Sequence, residues 1–243
     1  MRQNTRAHKG RSPVSAQEDD PPAYVQLEHR YVPTSLIGAA RPDLDADEMT
    51  LAHDRSIRSH LRWRLERETQ GVADTLVVEE LGVAGGVARL DLAVLNGVIH
   101  GFEIKSERDS LTRLPRQVEH FSEVVDFMTL VVVGQFEAGA LEAIPEWWGL
   151  AVARRRGRAV FFEMRRDCRP NPAVAILSFL EFLWRDEAYA LLADHGSVHR
   201  LKTATKDRLF RELARQIAWD KLHDLVLRTL RLRVSLGPSA PRM

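Results

Sequence analysis

The sequence predicts an α/β domain followed by an all-helical extension. Three observations lead there. Between residues 51 and 166 the hydrophobic spacing switches from a helical period to alternation and back. An Asn96-Gly97 pair stands between two alternating runs, a hairpin signature. Thr129–Val133 is apolar throughout, as in a strand covered on both faces.

The elements follow in order. Residues 1–45 are polar, with Pro13, Pro21, Pro22, Pro33 and Pro42 scattered through them, and read as a flexible leader. Asp45 or Asp47 is a candidate N-cap. Leu51, Ile57, Leu61 and Leu65 then keep helical spacing up to about Glu68, and Gly71 marks the end. Thr75–Leu81 reads as a strand, and Gly82, Gly85 and Gly86 as a loop. Arg89–Leu95 and Val98–Lys105 form the hairpin. A helix is expected from about Thr112 to Asp126, with Leu114, Val118, Phe121 and Val125 buried and Pro115 accepted in its first turn. The Thr129–Val133 strand, a short helix near Ala138–Ala143 and a pair of strands (Trp147–Ala153, Ala159–Met164) complete the domain. The order is helix, three strands, helix, strand, then a further hairpin. After Pro170 and Pro172 the segments Val174–Arg185, Glu187–Asp194 and Lys206–Leu232 are helical candidates. This divides the chain into 1–45, 46–169, 170–235 and a flexible tail 236–243.

The formal charge is +1, so any attraction for nucleic acid must come from a local surface. Cys168 is the one cysteine, which excludes an internal disulfide and a cysteine-based zinc cluster and fits a reducing compartment. The N-terminal residues lack the apolar core of a secretory signal, and the apolar runs are too short to span a bilayer. A cytoplasmic protein without membrane association is expected. Arginine is the usual cation, and Lys105 is the one lysine between residues 51 and 166.

Side chains alternate across a strand. The even positions of the hairpin (Leu90, Leu92, Val94; Val98, His100, Phe102, Ile104) are nearly all apolar. The odd positions include Asp91, Gly101, Glu103 and Lys105. A two-residue turn would mix charges into the apolar face, because one register step flips every side chain. A three-residue loop Leu95-Asn96-Gly97, with Gly97 left-handed, restores the match and sets Asp91 opposite Gly101 and diagonal to Glu103; a bulge would do the same. Gly101 would leave space between the charges. Two such carboxylates, with water and the Ile104 carbonyl, suit Mg²⁺ or Mn²⁺. The metal would polarise a phosphate and activate a water, and the Lys105 ammonium would orient that water or stabilise developing charge. Taken alone, the Glu103-x-Lys105 triplet is better explained as a surface ion pair worth under about 1 kcal/mol. Asp91, the two-faced hairpin and the following helix turn the balance toward a site.

The run Leu90-Asp91, hairpin, Glu103-Ile104-Lys105, helix resembles the PD-(D/E)XK core of restriction enzymes, resolvases and RecB-type nucleases. The resemblance covers residues 51–135, and HGFEIKSERDSLTRLPRQVEHF is similar to small bacterial nuclease-like proteins. It implies a restriction-endonuclease-like core, with Asp91 and Glu103 as metal-binding acids and Lys105 as the catalytic lysine. Gln117 and Phe121 resemble the Q-x-x-x-Y helix of RecB-like members, where the glutamine lies beside the site. Phe121 in place of tyrosine removes any hydroxyl role, and Leu90 stands where the motif has proline. Many members add an upstream acid. Glu80 is the preferred candidate, with Glu79, Glu66 and Glu68 behind it, and strand alternation allows only one of Glu79 and Glu80 to face the metal.

Several residues have plainer readings. Asp109 is read as the cap of the Thr112 helix, His100 as a core or edge histidine, and His53 and His60 as helix surface. Arg108, Arg113 and Arg116 could meet phosphates or simply be solvated. Arg200, Lys202, Lys206, Arg208, Arg211 and Arg215 form a basic stretch that weakly resembles small helical nucleic-acid-binding modules. The expectation is metal-dependent hydrolysis of nucleic-acid phosphodiesters, DNA foremost, in repair or defence, with a homodimer compatible. The alternative is a catalytically silent nucleic-acid- or partner-binding module on the same fold.

Overall fold

The computed structural model describes residues 49–50, 54–156 and 159–237. In chain order these form β1 (Met49–Thr50), α1 (Asp54–Glu68), β2 (Leu76–Val83), β3 (Ala88–Leu95), β4 (Ile99–Lys105), α2 (Leu114–Ser122), β5 (Phe127–Val133), α3 (Glu137–Ala143), β6 (Gly149–Arg156), β7 (Ala159–Arg166), α4 (Ile176–Leu180), α5 (Arg185–His195), α6 (Lys206–Gln216) and α7 (Trp219–Leu236). The fold is mixed α/β. Its seven described strands form one sheet in the order β1-β6-β5-β4-β3-β2, with β7 also on β6. β2–β3–β4 is an antiparallel meander; β4–β5 and β5–β6 are parallel, crossing over through α2 and α3. The expected N-cap at Asp45 or Asp47, Leu51 and His53 lie outside the described residues.

Helices cover both sheet faces. On one, Ile57, Leu61 and Leu65 of α1, each fully buried, pack on Leu92, Val94, Phe102, Ile104 and Val131. On the other, Leu114 and Phe121 of α2 pack on Leu95, Ile99, Leu130 and Val132, in a cluster that continues into Phe179, Leu183, Leu209, Leu213 and Leu227 of the C-terminal helices. Each such side chain removed from water contributes roughly 1.5–3 kcal/mol. β5 is buried at every residue, as its uninterrupted apolar run predicts. Among the described residues no helix is long and apolar enough to cross a membrane.

The hairpin has the expected parity, shifted by one residue. Leu95 pairs with Ile99, so the loop is Asn96-Gly97-Val98, with Gly97 at φ 89°. Ala93, not Asp91, stands opposite Gly101, and the pairing ends at Leu92 and Phe102, one residue short of Asp91. The division into a greasy face and a charged face is corrected. Ala93, Leu95 and Ile99 are buried under α2, and Leu90 joins them rather than Leu92 and Val94. Gly101 leaves no space for the acids: a Cβ there would stand 2.7 Å from Met128 Sδ and 3.0 Å from Leu90 Cδ2.

Three helices differ from expectation. Of Val174–Arg185 only Ile176–Leu180 is helical, as α4, and Trp184 is extended, so Arg185 opens α5. α2 is shorter than Thr112–Asp126 and starts at Leu114 with Pro115 in its first turn. Asp109 does not cap it; its carboxylate accepts from Ser106 N and Oγ instead. The Lys206–Leu232 helix is two helices, because Ile217 is extended (φ −121°, ψ 127°) and buries its side chain in the core.

Candidate functional site

At the carboxyl end of β4, Glu103 and Lys105 point to the α2 side. A lysine 2 % exposed beside a glutamate 4 % exposed is costly unless both are paired. Lys105 Nζ donates to Glu103 Oε1 and to Gln117 Oε1 of α2, both at 2.8 Å. Gln117 Nε2 donates in turn to Glu103 Oε1 at 2.5 Å. Glu103 Oε2 is left buried without a partner. Burial pushes the Glu103 carboxyl above its ordinary value, opposed by Lys105, Gln117 and Arg113.

Glu103 and Gln117 form the floor of a cleft of about 390 Å³, whose walls are Val87, Ala88, Arg89 and Asp91 on one side and Arg113, Arg116 and His120 on the other. Arg113, Arg116, Gln117 and His120 fall at spacings of three and four, so one edge of α2 supplies them all. Asp91 Oδ2 accepts from Ile104 N at 2.7 Å, which holds it where β3 and β4 diverge. Asp91 Oδ1 accepts from Arg58 of α1, whose other terminal nitrogen donates to Glu80.

Asp91, Glu103, Lys105 and Gln117 therefore come together. Lys105 lies behind Glu103 and Gln117 rather than on the cleft wall. Ile104 takes part through its N–H; its side chain is in the core under α1. Glu80 does not line the cleft and reaches Asp91 only through Arg58. The expectation that only one of Glu79 and Glu80 could face one way is corrected. Glu80 has φ 55°, the alternation breaks there, and both glutamates turn to α1, Glu79 to Arg62 and Glu80 to Arg58. Glu66 pairs with Arg62 on the helix surface. Among the described residues no three Asp, Glu, His or Cys side chains gather as a ready metal cluster.

His100 is a core residue, 1 % exposed, with Nε2 2.9 Å from Thr129 Oγ1 and its ring stacked on Phe102 at 4.3 Å. His60 meets its own helix at Ser56 O. Arg108 is not on the cleft wall. Arg58, Arg89 and His120 are, or touch, the site without having been singled out from sequence. Arg58 had one available signal: it and Arg62 share a helical edge beside the Ile57–Leu61–Leu65 stripe.

The chain matches the family described as bacteriophage P4 protein cII over residues 50–235. It belongs to the P4 cII family. Protein cII of Enterobacteria phage P4 is 26% identical over 166 residues, which are 67% of this chain and 61% of that protein, so the chain spans about three fifths of its relative's length. The P4 cII match takes in every cleft residue named above. A solved structure, a protein of unknown function from Silicibacter pomeroyi, is 21% identical, covers 62% of this chain and 90% of its own, and has a TM-score of 0.34. That likeness carries no argument about this chain.

Proposed function

We propose that this P4 cII-family chain is a nuclease on a restriction-endonuclease-like core. It would hydrolyse nucleic-acid phosphodiesters, DNA foremost, with Mg²⁺ or Mn²⁺, in the cytoplasm. One observation carries the reading. A buried lysine is held on one oxygen of a buried glutamate that lines a cleft, and the glutamate's other oxygen is buried without a partner. Replacing such a pair with apolar side chains is often neutral or stabilising, so burial alone is a poor reason to keep it.

The acids suit the cation. Mg²⁺ keeps several waters and takes one or two carboxylates plus substrate phosphate, so Glu103 Oε2 with Asp91 is a sufficient protein share and no third acid is required. When bound, the metal would polarise the phosphate and activate a water. Lys105 opposes the upward pull of burial on Glu103 and orients it, and its charge, shielded from solvent, favours the anionic transition state in the cleft. Gln117 fixes both. Arg89, Arg113 and Arg116 bind the flanking phosphates.

The cleft arginines bring unpaired charge next to the acids, whereas half of the basic C-terminal stretch is paired off. On α6, Arg211 is paired with Asp207, Arg215 with Glu212, and Lys206 reaches Glu181. Arg113 and Arg116 have no ion-pair partner among the described residues. Arg200, Lys202 and Arg208 of the C-terminal stretch are exposed and likewise unpaired among the described residues, so what sets the cleft apart is its unpaired arginines standing beside Asp91 and Glu103.

The test is cleavage of labelled single- and double-stranded DNA by the purified chain in Mg²⁺ and in Mn²⁺. Asp91→Ala and Lys105→Ala should each cost at least ~10²-fold in rate with the circular dichroism spectrum unchanged. Equal rates in wild type and variants would end the reading. The engagement of Asp91 by Arg58 favours a second one, a silent nucleic-acid-binding module. DNA binding without turnover in either metal would favour it.

A further inference from the structure

α1 is seated by Ile57, Leu61 and Leu65, which leaves Arg58 and Arg62, one turn apart, along the same edge of the helix. Opposite them stand Glu79 and Glu80, neighbours on an edge strand. In a regular strand these would point to opposite faces. They do not, because Glu80 takes the left-handed conformation that a side chain with a Cβ adopts at a cost.

The strain has a specific result. Arg62–Glu79 already ties the helix to the strand, and that pair is the more exposed one. The left-handed turn adds the Glu80 carboxylate to a guanidinium that also holds Asp91 Oδ1. The cation lodged between these acids is thus supplied by the chain itself. Asp91 is also the wall residue that shares the cleft with Glu103.

We infer that Arg58 is a built-in counter-cation of the acid site, closing Asp91 against Glu80 until a divalent cation displaces it. This rests on the metal-dependent reading above. Both cations want the same carboxylate oxygen, so their binding is mutually opposed, and by linkage each weakens the other by the same factor. Arg58 has somewhere to go. Its side chain is 23% exposed, on a flexible stem at the helix edge, and can swing to solvent without disturbing the buried stripe.

The experiment is Mn²⁺ binding to the full chain without nucleic acid, followed by calorimetry and by the electron paramagnetic resonance of free Mn²⁺. Arg58→Gln should bind Mn²⁺ about tenfold more tightly than wild type. Arg58→Lys, which keeps the charge but not the two-pronged contact, should fall between them. Arg62→Gln, on the same edge but away from Asp91, should match wild type. Without metal Arg58→Gln should melt lower than wild type, and Mn²⁺ should raise its midpoint by more. A purely structural Arg58 would lower the midpoint and leave the affinity where it was, which overturns the inference while the nuclease reading stands. No Mn²⁺ binding in any of the chains would sink both.

Discussion

A buried acid stands at each end of β4, Asp126 from the turn before β5 and Glu103 from β4 itself, and the two are handled in opposite ways. At its start, Asp126, 3 % exposed, accepts from Ile99 N at 2.7 Å and meets His223 Nε2 of α7 at 3.0 Å. Its backbone N–H donates to Ile99 O and its carbonyl accepts from Asn171 N. His223 is stacked on Phe179 at 4.7 Å. Every oxygen and the N–H of Asp126 is used, and no described cleft opens on it. At the far end, Glu103 is equally buried but has one oxygen with no partner, and it opens on a cleft walled by arginines. The Asp126 carboxylate is closed on the fold, as most buried polar groups are, and only the His223 Nδ1 beyond it is left without a partner. Groups left incomplete at the carboxyl ends of parallel strands are where ligands of α/β proteins sit.

The sharpest way to break this contrast is to delete each cluster and measure stability and cleavage together. Asp126→Ala strands the Ile99 N–H and the His223 ring in the core. It should cost about 3 kcal/mol in urea unfolding, with the cleavage rate per folded molecule unchanged. The double variant Glu103→Gln, Lys105→Met removes the other pair at similar volume. It should be as stable as wild type or more so, by up to about 4 kcal/mol, and should not cleave. If the second variant loses as much stability as the first, the Lys105–Glu103 cluster is only a structural tie.

How much of this could be read from the sequence follows from how local each cause is. Alternation, the Asn96-Gly97 turn and the apolar run of β5 are set by neighbours in the chain, and β2 to β7 appear within three residues of their expected places, while the short β1 was not expected. That Glu103 and Lys105 share a face was legible from alternation within one strand, and Gln117 from the family resemblance; Asp91 lies where the alternation of β3 breaks, between Leu90 on one face and Leu92 on the other. Three other things were not legible. The single-residue shift of the loop moved Ala93 opposite Gly101, and Met128, 27 positions along the chain, filled the space assigned to the site. The left-handed Glu80 broke the alternation that had excluded one of the two glutamates. The Asp126–His223 tie joins residues 97 apart in sequence, and no period or motif announces such a pair.

Between the two ends of the strand lies His100, and it refines the comparison with the smallest expected effect. It has neither the latch's partners nor the cleft's access: Nε2 meets Thr129 Oγ1, Nδ1 is buried without a partner, and burial lowers its pKa from 6.5 to about 3. Between those values the unfolded chain takes up a proton that the folded chain refuses. Stability from this group is therefore present in full above 6.5 and is lost progressively as the pH falls toward 3. His100→Phe, beside the existing Phe102 and Phe127 rings, removes the titrating group and keeps an aromatic in the stack. Its urea midpoint should sit slightly below that of wild type at neutral pH, for the lost Thr129 contact, and should fall less steeply on acidification, so that the two curves converge. Parallel curves would mean that this stretch of β4 admits water or a proton. The strand would then not be a sealed wall separating a structural latch from a reactive end.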